Sequence, residues 1–560
     1  MTALPPPDPR LRASVVVPAR DEEALVGRCV RALAAQRGVA PAVYEVLLVL
    51  DRCTDGTAEA ARAAADRHPG LRLHLLDAPT PGVGHARRAG MDLACARLLA
   101  VHRPDGLIAS TDADSEPDPD WLRVQLDAVA QGARAIGGRV ELSGADRAAL
   151  PPLALARRER EARERLARAR ERADAHARVE HHQFSGASLG VTAAVYEAVG
   201  RMPPRIALED EGFERLLERH GIAIQRLADV RVTTSGRREA RAVRGLAVDL
   251  RRSWWQAERS YRGVDFTLER LLAAKRRSVS LVLPAREVAG TIGAVLDAIG
   301  PLSAAGLVDE VVVLDAASRD GTAAIAAARG ARVLDESTVL PEHGSALGKG
   351  DAMWRGVSAT RGEVVAFLDT DTEDFHAGFV LGLLGPILCE PEVGFVKGAF
   401  RRPLRIGDTV VADGGGRVTE LVARPFLNLH VPELAVFRQP LAGEIAADRS
   451  LLERLPFPVG YGIEIAMLID ALREVGLERM AQVDLGTRQN RHQPLRELSA
   501  MALAVLAAAE RRVHGADAVD AAAPGPLLVP DGADLVPRFV MLDERPPLRS
   551  LRGAAEESAA

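Results

Sequence analysis

A single plan of residues occurs twice in this chain, and that duplication constrains the fold more than any one motif. The first copy opens with ASVVVPARDEEALVGRCVRALAAQ, a β-branched strand with Pro18 near its end, an acidic helical turn and an amphipathic helix. The second opens with RRSVSLVLPAREVAGTIGAVLDAI and does the same around Pro284 and Ala285. Each continues through a second strand, loop and helix: YEVLLVLDRCTDGTAEAARAAADRH carries Asp51 and Asp55, and DEVVVLDAASRDGTAAIAAARGARVL carries Asp315. Each then reaches a strand that closes on two carboxylates, DGLIASTDAD at Asp112 and Asp114, and EVVAFLDTD at Asp369 and Asp371. Strands alternating with helices, with charge collected after the strands, predict two open α/β domains with mostly parallel sheets. A chain of 560 residues also exceeds the roughly 250 to 300 that one core holds. The expected division is residues 1–272, residues 273–515 and a Pro/Ala-rich tail, 516–560, whose apolar run LVPRFVML is placed to dock back on a domain.

Asp369 and Asp371 are two apart, so in extended backbone their side chains leave the same face, roughly 6 to 7 Å apart. Two hard oxygen ligands held that way can grip a divalent ion that also touches a diphosphate. A solvated turn is the plainer reading of one such triplet; its recurrence at Asp112 and Asp114 favours the metal.

Other stretches add candidates. Gly82 and Gly84 approach a helix with His85, Arg87 and Arg88 in its first turn, a pattern that receives phosphate. Residues 153–177 are densely charged, with a thin apolar stripe, and predict a solvated or lid-forming helix. In LEDEGF, Glu209 and Asp210 start a helix; both are ordinary caps, and one is placed to act as a base toward a hydroxyl. Thr233 to Arg238 is a polar, basic run that covers a diphosphate or forms a surface hairpin. In the second copy Lys349 stands between Gly348 and Gly350 before a helix, without Walker spacing. Gly414 to Gly416, followed by Arg417 and Thr419, offer backbone N–H groups, a guanidinium and a hydroxyl to a small dianion. Glu444 and Glu464 lie among apolar residues and need partners: a metal, an arginine or substrate hydroxyls. Arg488, Asn490, Arg491 and His492 cluster in VDLGTRQNRHQPL.

Composition closes several classes. A formal charge of −5, from 72 basic and 77 acidic side chains, leaves no polybasic face for nucleic acid. Cys29, Cys53, Cys95 and Cys389 are scattered, without disulfide or zinc spacing, as in a reducing compartment. The opening MTALPPPDPR has no apolar run, and no segment is long enough to span a bilayer. A cytoplasmic location without stable membrane insertion is expected.

The second half, from about Ser278 to Arg511, closely resembles the glucosyl-3-phosphoglycerate synthases, retaining glycosyltransferases of GT-A fold. The stretches that carry this are VLPAR, LDAASRDGT, GKGDAMWR, LDTD, KGAFRRPL, GGGRVTELVARP, QPLAGE, PFPVGYGIEIAMLIDA and LGTR. The resemblance implies transfer of glucose from UDP-glucose to 3-phosphoglycerate with Mg²⁺ or Mn²⁺. Pro284, Ala285, Asp315 and Ser318 would lie around the uridine, Lys349 near the phosphates, and Asp369 and Asp371 on the metal. Gly416, Arg417, Thr419 and Arg488 would hold the acceptor, and Glu464 the sugar or acceptor hydroxyls. The family's third metal ligand, a His, falls at Asn490 here, and its acceptor Asn falls at His492, so the two residue types are exchanged: either His492 reaches the ion as third ligand by a small shift of the loop, or the aspartates, the diphosphate and water hold the metal.

The first half resembles the inverting GT-A glycosyltransferases more loosely, through PARDEE, DRCTDGT, HARRAG, TDAD and LEDEGF. By that resemblance Pro18, Asp51, Arg87 and Asp112 would contact a nucleotide sugar, Asp112 and Asp114 a metal, and Asp210 would be the base. The fold implied is two tandem nucleotide-sugar-binding, Rossmann-like domains; a homodimer is left open. Two other readings stand beside this one. A nucleotidyltransferase would need a basic loop after the first strand, where PAREVAGTIG offers only Arg286. A regulatory first half without turnover is disfavoured by the presence of Asp112, Asp114 and Asp210 together.

Overall fold

The computed structural model of the chain describes residues 4–174, 177–205, 208–237, 245–406, 409–411, 414–488, 494, 497–515 and 526–551. The chain divides into two compact units, Met1–Trp254 and Trp255–Ala560.

The first unit is built on strands β1 (Ala13–Ala19), β2 (Tyr44–Leu50), β3 (Leu73–Asp77), β4 (Leu107–Ser110), β5 (Ser115–Pro117), β6 (Ala135–Leu142), β7 (Leu189–Thr192) and β8 (Ile224–Thr234). They form one sheet in the order β3-β2-β1-β4-β7-β6-β8-β5. The β3-β2-β1-β4 half is parallel throughout, and β7 runs antiparallel to both β4 and β6. Every residue of β1 is buried. Val15 and Val17 enter one core and Val16 the other, as expected for a parallel strand with helices over both faces.

The second unit repeats the order with β9 (Ser260–Arg262), β10 (Val279–Ala285), β11 (Glu310–Asp315), β12 (Arg332–Asp335), β13 (Val364–Phe367), β14 (Phe395–Arg401), the hairpin β15 (Leu404–Ile406) and β16 (Thr409–Val411), β17 (Ile445–Asp448), β18 (Phe457–Pro458) and β19 (Met480–Thr487). Its sheet runs β12-β11-β10-β13-β17-β14-β19-β9. The two sheets differ at the last position. In the first unit it is taken by β5, antiparallel to β8; in the second by β9, parallel to β19.

That edge strand moves the domain boundary expected near residue 273. Residues 255–272 belong to the second unit: Trp255 is fully buried, donates its indole N–H to Met480 O at 2.7 Å and packs on Phe437. β9 is three residues long, too short to leave a readable alternation in the sequence.

The tail also differs from expectation. Phe539, within the apolar run, is 86% exposed. The docked segment lies just beyond it, where β22 (Glu544–Arg545) pairs with β18 after the hairpin β20 (Leu527–Asp531) and β21 (Asp534–Arg538). Arg545 reaches the buried Asp351 at 2.8 Å, Trp354 donates to Pro546 O, and Leu548 is buried. The charged segment forms the helix Pro152–Arg172, in which only Ala154 is buried, and is thus solvated. No described helix is long and apolar enough to cross a membrane.

Candidate catalytic sites

Each unit gathers a cation and carboxylates at the C-terminal end of its central strands, where an open α/β sheet leaves a crevice. In the second unit Lys349 opens the helix Lys349–Ala359, Asp369 and Asp371 follow β13, and Glu464 lies in the first turn of the helix Ile463–Val475. The Lys349 ammonium is 2.6 Å from Asp369 Oδ1 and 2.8 Å from Glu464 Oε1. Arg488, just past β19, is buried and donates to Asp369 Oδ2 and Asp371 Oδ1, each at 3.1 Å, and to Glu444. The partners that Glu444 and Glu464 require are therefore Arg488 and Lys349. Burial alone would raise the Asp369 carboxyl; the ammonium and guanidinium beside it more than offset that and hold it below the usual carboxylate range. A Cβ on Gly443 would lie 2.4 Å from Asp369 Oδ1 and 2.5 Å from the Lys349 nitrogen, so a side chain there would displace this ion pair.

Around this centre lie residues that sequence reasoning did not single out. Lys397 on β14 is fully buried, donates to Ala442 O at 2.9 Å, and is pushed down to about 7 by that burial. Arg402 accepts the Gly415 N–H through its carbonyl and lies over Phe400, which Arg488 also faces. The signal available for Lys397 was a lysine inside the otherwise apolar strand FVKGAF. Arg402 and Gly443 carried none, because their neighbours are distant in sequence.

The expected nucleotide contacts lie at the other side of the strand ends. Asp315 accepts the Ser318 N–H on Oδ2, while its buried Oδ1 has no hydrogen-bond partner among the described residues. Ser318 Oγ accepts from Glu287 N, Ala285 O from Ala316 N, and Pro284 O from the Thr370 hydroxyl. Asp51 repeats the pattern, with the Gly82 N–H on Oδ2 and a buried, unpartnered Oδ1. A buried acceptor without a donor fits a ligand that brings an N–H.

On the acceptor side, Gly416 has φ +70° and Thr419 is buried; Thr419–Ala423 is a π-helical turn that leads into the helix Arg424–His430. Arg417 is half-buried. The structure commits Arg488, expected at the acceptor, to three carboxylates. Asn490 and His492 lie outside the described residues, as does Arg238.

In the first unit, buried Arg87 takes the cation's place. It donates to Asp112 Oδ1 at 2.8 Å, Glu209 Oε1 at 2.9 Å, the Ser110 hydroxyl and Gly186 O. Gly90 and Gly356 fix the register, since a Cβ on either would strike the first strand at Val16 or Val282. In that register Lys349 corresponds to Val83, and Arg87 comes from the same helix face one turn later. The helices that follow start at Glu209 and Ile463, and a Cβ on the equivalent Gly84 or Gly350 would meet the Cβ of those same residues, so Asp210 matches Glu464. Glu209, the partner of Arg87, then stands where the second unit has Ile463. Asp210 accepts the Gly186 N–H at 2.9 Å on Oδ2. Asp114 faces Arg237 at 3.1 Å, and Arg237 also grips Glu22; burial and the neighbouring Asp112 raise the Asp114 carboxyl. Thr233 and Thr234 lie within β8, so the basic run is strand followed by this Arg237 contact.

Both carboxylate pairs offer hard oxygens, which suit Mg²⁺ or Mn²⁺. In the second unit Asp371 is 61% exposed beside a committed Asp369, and the fixed cations Lys349 and Arg488 complement a diphosphate. The residues present fit a cation bound together with a nucleoside diphosphate.

Comparison with known proteins agrees with the fold. The family described as "Glycosyltransferase like family 2" matches residues 9–257, and "Glycosyl transferase family 2" matches residues 280–403. Glucosyl-3-phosphoglycerate synthase of Mycolicibacterium paratuberculosis is 44% identical over 308 residues, 53% of this chain and 92% of its own. The crystal structure of mannosyl-3-phosphoglycerate synthase from Rubrobacter xylanophilus is 44% identical over 54% of this chain and 98% of its own, with a TM-score of 0.49. That of glucosyl-3-phosphoglycerate synthase from Mycobacterium tuberculosis, in complex with Mn²⁺, UDP and glucosyl-3-phosphoglycerate, is 43% identical over 51% of this chain and 96% of its own, with a TM-score of 0.47.

Proposed function

The chain belongs to the glucosyl-3-phosphoglycerate synthase family of glycosyltransferases, and on that premise we propose that its second unit transfers glucose from UDP-glucose to 3-phosphoglycerate with retention. The matched share, 53% of 560 residues, exceeds the length of Met1–Trp254 but not that of Trp255–Ala560, which supports this assignment. The observation that carries the chemistry is the Lys349–Asp369–Glu464 centre with Arg488.

Asp369 and Asp371 would hold Mg²⁺ or Mn²⁺, which supplies Lewis-acid neutralisation of the donor's diphosphate. Lys349 and Arg488 place fixed positive charge where the leaving diphosphate develops its own negative charge. Asp315 receives an N–H of the uracil on its unpartnered oxygen. Gly416, Arg417 and Thr419 orient the acceptor's anionic groups, and Glu464 takes a hydroxyl of sugar or acceptor. Lys349 holds Glu464, the counterpart of Asp210, as a fixed carboxylate that orients a hydroxyl here and is given no role as a base. The acceptor hydroxyl attacks on the face the leaving group vacates and gives its proton to the departing phosphate oxygen.

The first unit is proposed as a second, inverting transferase. Its Arg87–Asp112–Glu209 centre is built on the same plan, Asp112 and Asp114 are its metal ligands, and Asp210 is its base. A regulatory role is disfavoured by Asp112, Asp114 and Asp210 standing together.

The test offers the full chain UDP-glucose and other nucleotide sugars, a mannose donor included, with 3-phosphoglycerate, and reads the anomeric proton coupling of each product by NMR. An α product abolished by Asp371→Asn and untouched by Asp210→Asn is expected. Any β product should fall about 10² to 10⁴-fold in Asp210→Asn, the usual size of general-base assistance. A β product that survives Asp210→Asn but not Asp371→Asn would overturn the retaining assignment.

A further inference from the structure

We propose that His430, Glu510 and His514 form a binding site for a divalent cation of the zinc class, separate from the carboxylate pairs, that ties the C-terminal helix to the helix following the acceptor loop. Glu510 and His514 lie four apart on the helix Leu498–His514, hence on one face, with His514 Nε2 3.5 Å from Glu510 Oε2. His430 ends the helix Arg424–His430, and its ring stands edge-on to that of His514, centroids 5.4 Å apart at 84°. One ligand atom from each of the three residues lies within 4.8 Å of the others.

Zinc binds imidazole nitrogen at about 2.0–2.1 Å and carboxylate oxygen at about 2.0–2.2 Å in a tetrahedron, which places ligand atoms roughly 3.3 Å apart. The present separation therefore closes by small side-chain rotations. Those rotations are cheap, because both imidazoles are exposed and Glu510 is half-buried. The Phe426 ring, one turn back and 4.6 Å from His430, sets that imidazole's position.

The donor set decides the class of ion. Two imidazoles and one carboxylate favour zinc, nickel, cobalt or copper, whereas the all-oxygen aspartate pairs favour magnesium or manganese. The surrounding charge is permissive. The site lies at the negative end of a 17-residue helix dipole, and the nearby Arg511 and Arg512 both face Glu544, Arg512 also Asp470. Position gives the site its meaning, since the helix it would anchor continues directly from the π-helical turn that begins at Thr419.

The experiment uses the full chain, stripped of metal and held in excess Mg²⁺ so that the aspartate pairs are occupied, with Zn²⁺ titrated against a chromophoric chelator. Wild-type protein should take up one equivalent of Zn²⁺ at least about tenfold more tightly than the double variant His430→Ala/His514→Ala, and Zn²⁺ should raise its Tm but not the variant's. Glu510→Gln should weaken binding while leaving both imidazoles in place. Turnover with Mg²⁺ in the absence of Zn²⁺ should be the same in the double variant as in wild type, since none of the three residues touches substrate. Equal Zn²⁺ stoichiometry and affinity in wild type and double variant would overturn the proposal. So would loss of the Zn²⁺ equivalent in Asp371→Asn with retention in the histidine variant.

Discussion

Lys349 and Asp371 stand at the same centre and differ in how far the fold depends on them. The Lys349 ammonium is the joint counter-ion of Asp369 and Glu464, both largely buried. Replacing it with Ala leaves two carboxylates short of charge, and breaking a buried pair typically costs about 3–5 kcal/mol. Lys349→Ala should therefore lose both activity and a large part of the second unit's stability. Asp371 is 61% exposed and shares Arg488 with Asp369 and Glu444, so Asp371→Asn should lower kcat by about 10² or more while leaving the unfolding midpoint nearly unchanged. Parallel denaturation curves and initial rates with saturating Mn²⁺ check the contrast; equal loss of stability in both variants would contradict it. These positions were legible because each is marked locally, by a strand end, a helix start or a two-residue spacing. Arg402, Lys397 and Gly443 were not, since their importance comes from neighbours tens of residues away.

Two elements carry predictions of their own. His181 bridges strand to loop in the first unit, its Nε2 at 3.2 Å from Leu227 O and its Nδ1 accepting from Gln183 N. Burial pushes it down to about 4, and His182 likewise. Below the ordinary histidine value of about 6.5 the unfolded chain binds protons that the native unit refuses, so stability falls as pH drops from about 6.5 to 4. The loss approaches about 3 kcal/mol for His181 at the acid end. Urea unfolding at pH 7 and pH 4.5 should show a smaller acid loss in His181→Gln, and the smallest in the His181→Gln/His182→Gln double variant. The second element is the clasp at β22. Arg545 supplies Asp351 with a second guanidinium beside Arg355, and Asp351 lies two residues after Lys349 in the same helix. Arg545→Ala should destabilise the second unit by about 3 kcal/mol, again the scale of a broken buried pair, and raise the donor KM. A thermal melt and donor titration check both; an unchanged melt would leave the clasp without a structural role.

For the whole molecule, the position of β9 decides where the chain can be cut. A fragment beginning at residue 274 keeps the repeated motif but loses β9, the buried Trp255 and its bond to Met480 O. It also exposes the β19 edge, and an unpaired edge strand invites association. The fragment Trp255–Ala560 should fold as a monodisperse species and retain transfer to 3-phosphoglycerate, whereas 274–560 should aggregate or lose most of its far-UV dichroism. Size exclusion, circular dichroism and a glucosyl-transfer assay read the comparison. A folded, active 274–560 would return the boundary to the repeat.

The sequence by itself determined the tandem α/β sheets, the strand ends and the chemical types gathered there. All of these rest on local patterns: alternation of strand and helix, runs of apolar residues closed by carboxylates, glycines before helices. Tertiary structure decided what those patterns could not reach. It paired Arg488 with three carboxylates beside two other strands, placed Arg87 one turn later on its helix than Lys349, and brought Asp210 and Glu464 to equivalent positions. It also completed the second sheet with three residues, Ser260–Arg262, that precede the repeat. Spacing along the chain specifies which side chains share a face of one element; which elements come to lie side by side depends on how the sheets order and close their edges.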